Sequence, residues 1–278
     1  MSAIIKYKLK QILRTKLLWI GIGFLILFRL VFHSSEPNVD LRDYFQYSYN
    51  SQLTIIVFIA IICGSLAAYV ASREIHNDSI GIILATRAKP VQYFFGKLFA
   101  CGIVTIVLQF ITAFPMFLYC SIKEHAFFDS ISTSYFIRSF FLYEGMLFLP
   151  FALFIMILSY CLNMIFSKWR IGLIFPAVYI LIEAVWPGKF YLPFPDFGAN
   201  PYAYFVNAYI ENLSPNGKYT IIRIHSPISF NSPFVILCIA IGLLLVIIAI
   251  TAAVIYLNRS LGRGHFAKKE RIKENASV

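Results

Sequence analysis

Three ionisable side chains, Arg29, Glu144 and Glu183, lie inside long apolar runs of this 278-residue chain. A charge held near the middle of a bilayer costs about 3 kcal/mol on insertion scales, so such a residue is kept where it pairs, reaches water or acts on something passing through. Each of the three lies within about three turns of the end of its run, roughly 16 Å at the helical pitch. From that depth a side chain can snorkel, face a wet vestibule or pair, and Arg29 has the sign to bridge to Glu144 or Glu183. Two readings stay open: structural pairing or snorkelling, and a direct part in a conducted path or its gate.

Other reactive residue types are present without the spacing that would make them a site. Cys63, Cys101, Cys120, Cys161 and Cys238 all fall in or beside apolar runs and form no C-x-x-C pair, which reads as helix packing. His33, His76, His125, His225 and His265 are scattered and lack metal-ligand spacing, so neither a metal nor any other cofactor is expected. Gly96 and Lys97 are followed by Leu98, which is not the G-x-x-x-x-G-K-[ST] loop that cradles phosphate. H-E-x-x-H and G-x-S-x-G strings are also missing, so no catalytic residue is assigned and the chain is not expected to be an enzyme.

The elements that must position these groups follow from composition. With 59% hydrophobic and 13% charged residues, the chain is too apolar for a soluble domain of this size. Six runs approach or exceed the roughly 20 residues needed to cross about 30 Å of hydrocarbon. They cover 17–32, 53–71, 98–119, 140–166, 171–186 and 234–257, the first and fifth being short. Alternating segments of about ten residues would mark a β-barrel, and the run 234–257 excludes it. The expected fold is therefore all-α, a single polytopic domain over 1–278 with six transmembrane helices. Because a basic segment precedes the first run and no small-residue cleavage site follows it, that run is expected to remain as an anchor.

Charge orients the bundle. Five Lys and Arg precede the first run, four lie in 73–97, two in 167–170 and six after Leu257, 17 in all. The three opposite loops carry six, so the richer side and both termini are expected in the cytoplasm. Seven acids, Glu36, Asp40, Asp43, Glu124, Asp129, Asp196 and Glu211, fall on the other side. The net charge of +11 thus reports topology and contact with anionic membrane lipid, and no nucleic-acid partner is expected.

The segments between runs carry their own patterns. In 1–16, Ile5, Leu9 and Ile12 or Leu13 share one helix face among Lys6, Lys8, Lys10, Arg14 and Lys16, which predicts an interfacial helix leading into the first span. An ordinary basic flank is the plainer reading. Gly64, Ala68 and Ser72 recur at intervals of four, a small-residue stripe that admits another helix from the same chain or from a second one. The outer segment 187–232 opens with Pro187, Gly188, Pro193 and Pro195, then predicts a short helix over 202–213 with Tyr204, Phe205, Ala208 and Tyr209 on an aromatic face. In 73–97, Asn77, Asp78 or Ser79 can cap a short helix whose Ile80, Ile83 and Leu84 share a face, and Pro90 suits the first turn of the next helix. That apolar face needs a cover, either membrane surface or a partner protein.

Read in order, the loop presents Glu74, Gly81, Ile83 and Leu84, Arg87, Lys89 and Pro90, then Gly96 and Lys97. It resembles the first cytoplasmic loop of ABC-2 type transporter permeases: an acid, a short interval, Gly, an apolar pair, a basic or Pro turn, and Gly-Lys entering the third span. The interfacial helix, the six runs and the outer segment before the last run are similar to that family's architecture. Ile82 departs from the family's usual Thr, and 187–232 is unusually long. The resemblance implies the membrane subunit of an exporter, with ATP hydrolysed by separate ATPase subunits and a second membrane subunit, identical or similar, completing the path. It implies that the ATPase-coupling positions are Glu74, Asp78, Ile80, Gly81, Ile83, Leu84, Arg87, Lys89 and Pro90. Two rival readings remain: an assembly or sensor protein whose loop binds a cytoplasmic partner, and a secondary transporter, for which Pro150 is the one candidate break in a span.

Overall fold

The computed structural model describes residues 2–31, 53–72, 90–123, 148–166, 170–185 and 240–258, with Phe141 and Gly145 besides. Among these residues there is no strand. Seven helices carry them: α1 (Ser2–Leu13), α2 (Lys16–Val31), α3 (Leu53–Ser72), α4 (Pro90–Lys123), α5 (Leu149–Phe166), α6 (Ile171–Val185) and α7 (Ala240–Asn258).

Proline placement explains two of the helix starts. Pro90 opens α4 and Pro150 falls in the first turn of α5, positions where a missing N–H costs no hydrogen bond and the fixed φ is already helical. Gly145 and Phe148 just ahead of it are π-helical, so helical backbone also precedes Pro150. The expected fourth run began at residue 140, and Phe141 is likewise helical ahead of α5. α4 begins eight residues before the expected third run, because a helix does not have to start where the apolar run does.

α3 sits at the centre and packs against α2, α4, α5 and α6. Its small side chains make this possible: Ala60, Cys63, Ala67, Ala68 and Ala71 are all buried, Gly64 is buried between them, and neighbouring backbones can approach closely. The stripe through Gly64 and Ala68 is thus used inside the chain. From α2, Phe24 and Phe28 each meet Phe58 of α3 edge-on at 4.8 Å. α7 adds Ala253 and Leu257 to the same core.

The opposite faces stay apolar and exposed. On α2, Ile20, Phe24, Leu27 and Val31 form one exposed row, and on α4 Phe99, Ile103, Val107 and Ile111 form another. Continuous apolar rows on the outside of a helical bundle are what hydrocarbon solvates and water does not. Among the described residues, three helices are long and apolar enough to cross a membrane, over Pro90–Pro115, Leu149–Phe166 and Ala240–Asn258. α1 and α2, bent 64° from one another, make a fourth if counted as one broken span, and α3 contributes a shorter apolar stretch, Phe58–Ala71. α2 and α6 stand on the first and fifth expected runs with 16 and 15 residues, below the usual spanning length.

Candidate functional site

Of the expected coupling positions, Glu74, Asp78, Ile80, Gly81, Ile83, Leu84, Arg87 and Lys89 lie outside the described residues, as do the segment 187–232 and Glu144. Of Glu183 only the backbone, on α6, is described. Pro90 is the first residue of α4 and is half-buried. Arg29 is in the last turn of α2, where unsatisfied carbonyls and the helix dipole favour a cation. At 2% exposure its side chain is buried within the protein.

The structure does show both attachment points of the 73–89 segment. One is the end of α3 at Ser72, on the central helix; the other is Pro90. Within two turns of Pro90, α4 is clasped from two sides. On one side, Tyr160 of α5 donates its hydroxyl to the Phe94 carbonyl at 3.2 Å, with the two rings 5.3 Å apart. On the other lies α1.

The α1 contact depends on Gly96. A Cβ built there would stand 2.8 Å from Ile4 Cγ2 and 3.2 Å from Ile4 Cβ, so a glycine lets the Ile4 side chain lie against the α4 backbone. One turn on from Ile4 is Lys8, 2% exposed, and another turn on is Ile12, 1% exposed. Of the expected face, Ile12 is in the core and Ile5 and Leu9 are half-buried against it, while Leu13 is exposed; Ile4 and Lys8 join Ile12 in the row nearest α4.

Lys8 and Lys97 converge on one ring. Lys97 is fully buried; its Nζ lies 4.9 Å from the Tyr93 centroid and that of Lys8 lies 5.7 Å away. Lys8 also stands 5.2 Å from the Tyr7 ring and donates to Gln11 Oε1 at 3.2 Å. Removed from water, an ammonium gains more from an aromatic face than it does at the surface, and here one ring serves two cations from two helices. The corner between α1 and α2 is fastened as well. Thr15 N–H donates to the Ile12 carbonyl at 2.9 Å, and Trp19 Nε1 donates to the Leu13 carbonyl at 2.8 Å.

Displacement of Pro90 would therefore carry α1, and displacement of Ser72 would act on the hub. Residues 4–183 match the ABC-2 family transporter proteins, well over half of the chain. The chain belongs to the ABC-2 transporter family. No curated protein and no solved structure matches it. As an ABC-2 protein it is a component of membrane transport, and the match takes in α2 to α5, nearly all of α1 and α6, and both attachment points of 73–89. The match begins at Ile4, the residue seated on Gly96; α7 and 187–232 lie beyond it.

Sequence reasoning picked out Gly96 and Lys97 only as a motif at a span entry, and it missed Ile4, Lys8 and Tyr93. The signal was there to be read: Ile4, Lys8 and Ile12 repeat at four, as do Tyr93 and Lys97, but a buried lysine on an otherwise snorkelling helix runs against the usual expectation. Among the cysteines, Cys63, Cys101 and Cys161 are buried in the helix packing.

Proposed function

We propose that this ABC-2 protein is the membrane-spanning subunit of an exporter, crossing the bilayer six times with both ends in the cytoplasm and driven by separate ATPase subunits. The observation that carries the reading is the family match over 4–183, which brackets the 73–89 segment together with the helices that hold its two ends. ATP binding draws two ATPase subunits together, and their displacement enters through the apolar pair Ile83 and Leu84 on the segment between Asp78 and Lys89. From there Pro90 moves α4, and the Ile4–Gly96 and Lys8–Tyr93–Lys97 contacts bring α1 along. For the displacement to bias the transporter, contact with the ATPase must differ in free energy between the two conformations. Six helices leave little room for a path, so a second membrane subunit, identical or similar, completes it. Arg29, with Glu144 and Glu183 as its candidate partners, belongs at the outer end.

The experiment is purification of the tagged chain in mild detergent from its native cells. Co-elution of an ATPase whose hydrolysis depends on the membrane chain supports the reading. A chain that elutes without an ATPase and carries out ion-driven uptake by itself would overturn it.

A further inference from the structure

Beside the row that packs on α4, α1 carries a groove that is partly open: Ile5 and Leu9 are half-buried against the core and Leu13 is exposed. Ser2, Ile5, Lys6, Leu9, Lys10, Leu13 and Arg14 line this groove of about 620 Å³ along the helix. Two rows run side by side in it. Lys6, Lys10 and Arg14 are exposed and stand one above another at intervals of four, over roughly 12 Å of helix. Ile5, Leu9 and Leu13 repeat at the same interval beside them. No Asp or Glu occurs before Glu36, so nothing on α1 or α2 neutralises the cationic row.

The position of the groove selects its occupant. α2 turns away at 64° with its exposed apolar row, and at the corner Trp19, 57% exposed, holds its indole N–H on the Leu13 carbonyl. An indole with an apolar body and a fastened polar edge is characteristic of headgroup depth, which puts α1 flat at that level. We infer that the outer face of α1 is a binding site for an anionic phospholipid, its phosphate among Lys6, Lys10 and Arg14 and its first acyl carbons against Ile5, Leu9 and Leu13. Because Ile4 and Lys8 on the other face hold α4, the lipid sits on the helix that moves with the coupling segment. The inference rests on the membrane-protein reading and does not require that an ATPase bind.

The test uses the full chain purified in non-ionic detergent and returned to nanodiscs of mixed phosphatidylglycerol and phosphatidylcholine, where orientation plays no part. Lipid retained by the protein is read by mass spectrometry after re-extraction. The wild type should retain phosphatidylglycerol in preference to phosphatidylcholine. The variant Lys6→Gln/Lys10→Gln/Arg14→Gln should lose that preference by roughly a hundredfold, at about fivefold per cation near an anionic surface. These three side chains are exposed, so its melting in pure phosphatidylcholine should match the wild type. A control that removes equal charge from the tail, Lys268→Gln/Lys269→Gln/Arg271→Gln, should keep the preference. Equal retention of both lipids by the wild type, or equal loss in the two triple variants, overturns the site. A triple α1 variant that keeps its phosphatidylglycerol but sheds a co-eluting ATPase also overturns it and makes the groove a protein face. Whether any ATPase co-elutes with the wild type tests the exporter reading separately.

Discussion

Replacing Gly96 with alanine probes the seat of α1 on α4 with a single methyl group. The new Cβ would meet Ile4 Cγ2 at 2.8 Å and Ile4 Cβ at 3.2 Å, against an optimum for carbon pairs of about 3.5–4.0 Å. Both atoms are at the root of a β-branched side chain whose χ1 is stiff, so Ile4 cannot swing clear and α1 itself must give way. Overpacking of this kind costs about 1–3 kcal/mol, while the exchange of glycine for alanine within a helix returns about 1 kcal/mol. Gly23 of α2 supplies the reference, since a Cβ there has no neighbouring atom within 4 Å among the described residues. The expected gap between Gly96→Ala and Gly23→Ala is therefore about 1–3 kcal/mol, at about 2–4 °C of melting midpoint for each in a chain of this size. Apparent melting in detergent, scanned at one fixed rate, measures it. Ile4→Ala in the Gly96→Ala background removes Cγ2 and should recover part of the loss, with a coupling of about 0.5–3 kcal/mol between the two sites. If Gly96→Ala melts with Gly23→Ala, or if Ile4→Ala adds its own cost without rescue, α1 does not rest on Gly96.

Three further outcomes are expected. Tyr93→Leu removes the ring shared by Lys8 and Lys97 and should destabilise by about 1–2 kcal/mol, whereas Tyr93→Phe keeps the ring and discards a buried hydroxyl that has no hydrogen-bond partner among the described residues, with little or no loss; equal melting of the two variants would refute the shared-ring contact. Cysteines introduced at Ser34, Ser130 and Ser214 in a cysteine-free chain should react with an impermeant thiol reagent on intact cells, and those at Ser2, Ser79, Ser167 and Ser277 should not; outside labelling at Ser79 would end the six-span topology. Ile83→Asp and Leu84→Asp should each lower ATPase co-elution at least tenfold, because an unpaired carboxylate in a desolvated contact costs several kcal/mol. Tyr204→Asp in the outer segment should leave co-elution unchanged at equal expression, and full co-elution with both loop variants would return that apolar face to the lipid surface.

Much of the architecture was legible from one-dimensional patterns. Apolar runs placed α2, α3 and α6 within a residue or two, because a continuous apolar run in this chain is helical backbone from end to end. The order of Glu74, Gly81, Ile83, Leu84, Lys89, Pro90, Gly96 and Lys97 was enough to suggest the family that the match over 4–183 shows. The start of α4 was legible from Pro90, which suits a first turn, and not from hydropathy. Hydropathy begins at Leu98, whereas the helix begins where Pro90 can nucleate it, and the eight intervening residues hold Tyr93, Gly96 and Lys97.

What the sequence by itself determined is which segments are apolar enough for lipid to solvate and, through the asymmetry of Lys and Arg, which side each loop is expected to take. Both properties sum over neighbouring residues, so a local reading is sufficient. Tertiary structure alone decided that the stripe through Gly64 and Ala68 is spent within the bundle, that Gly96 receives Ile4, and that Lys8 and Lys97, 89 residues apart, are buried around one tyrosine. A lysine followed through its own turn of helix reads as a snorkelling flank. Only when α1 folds back across α4 does the same side chain lose water and acquire a ring, because burial belongs to the pair of helices and to neither sequence alone.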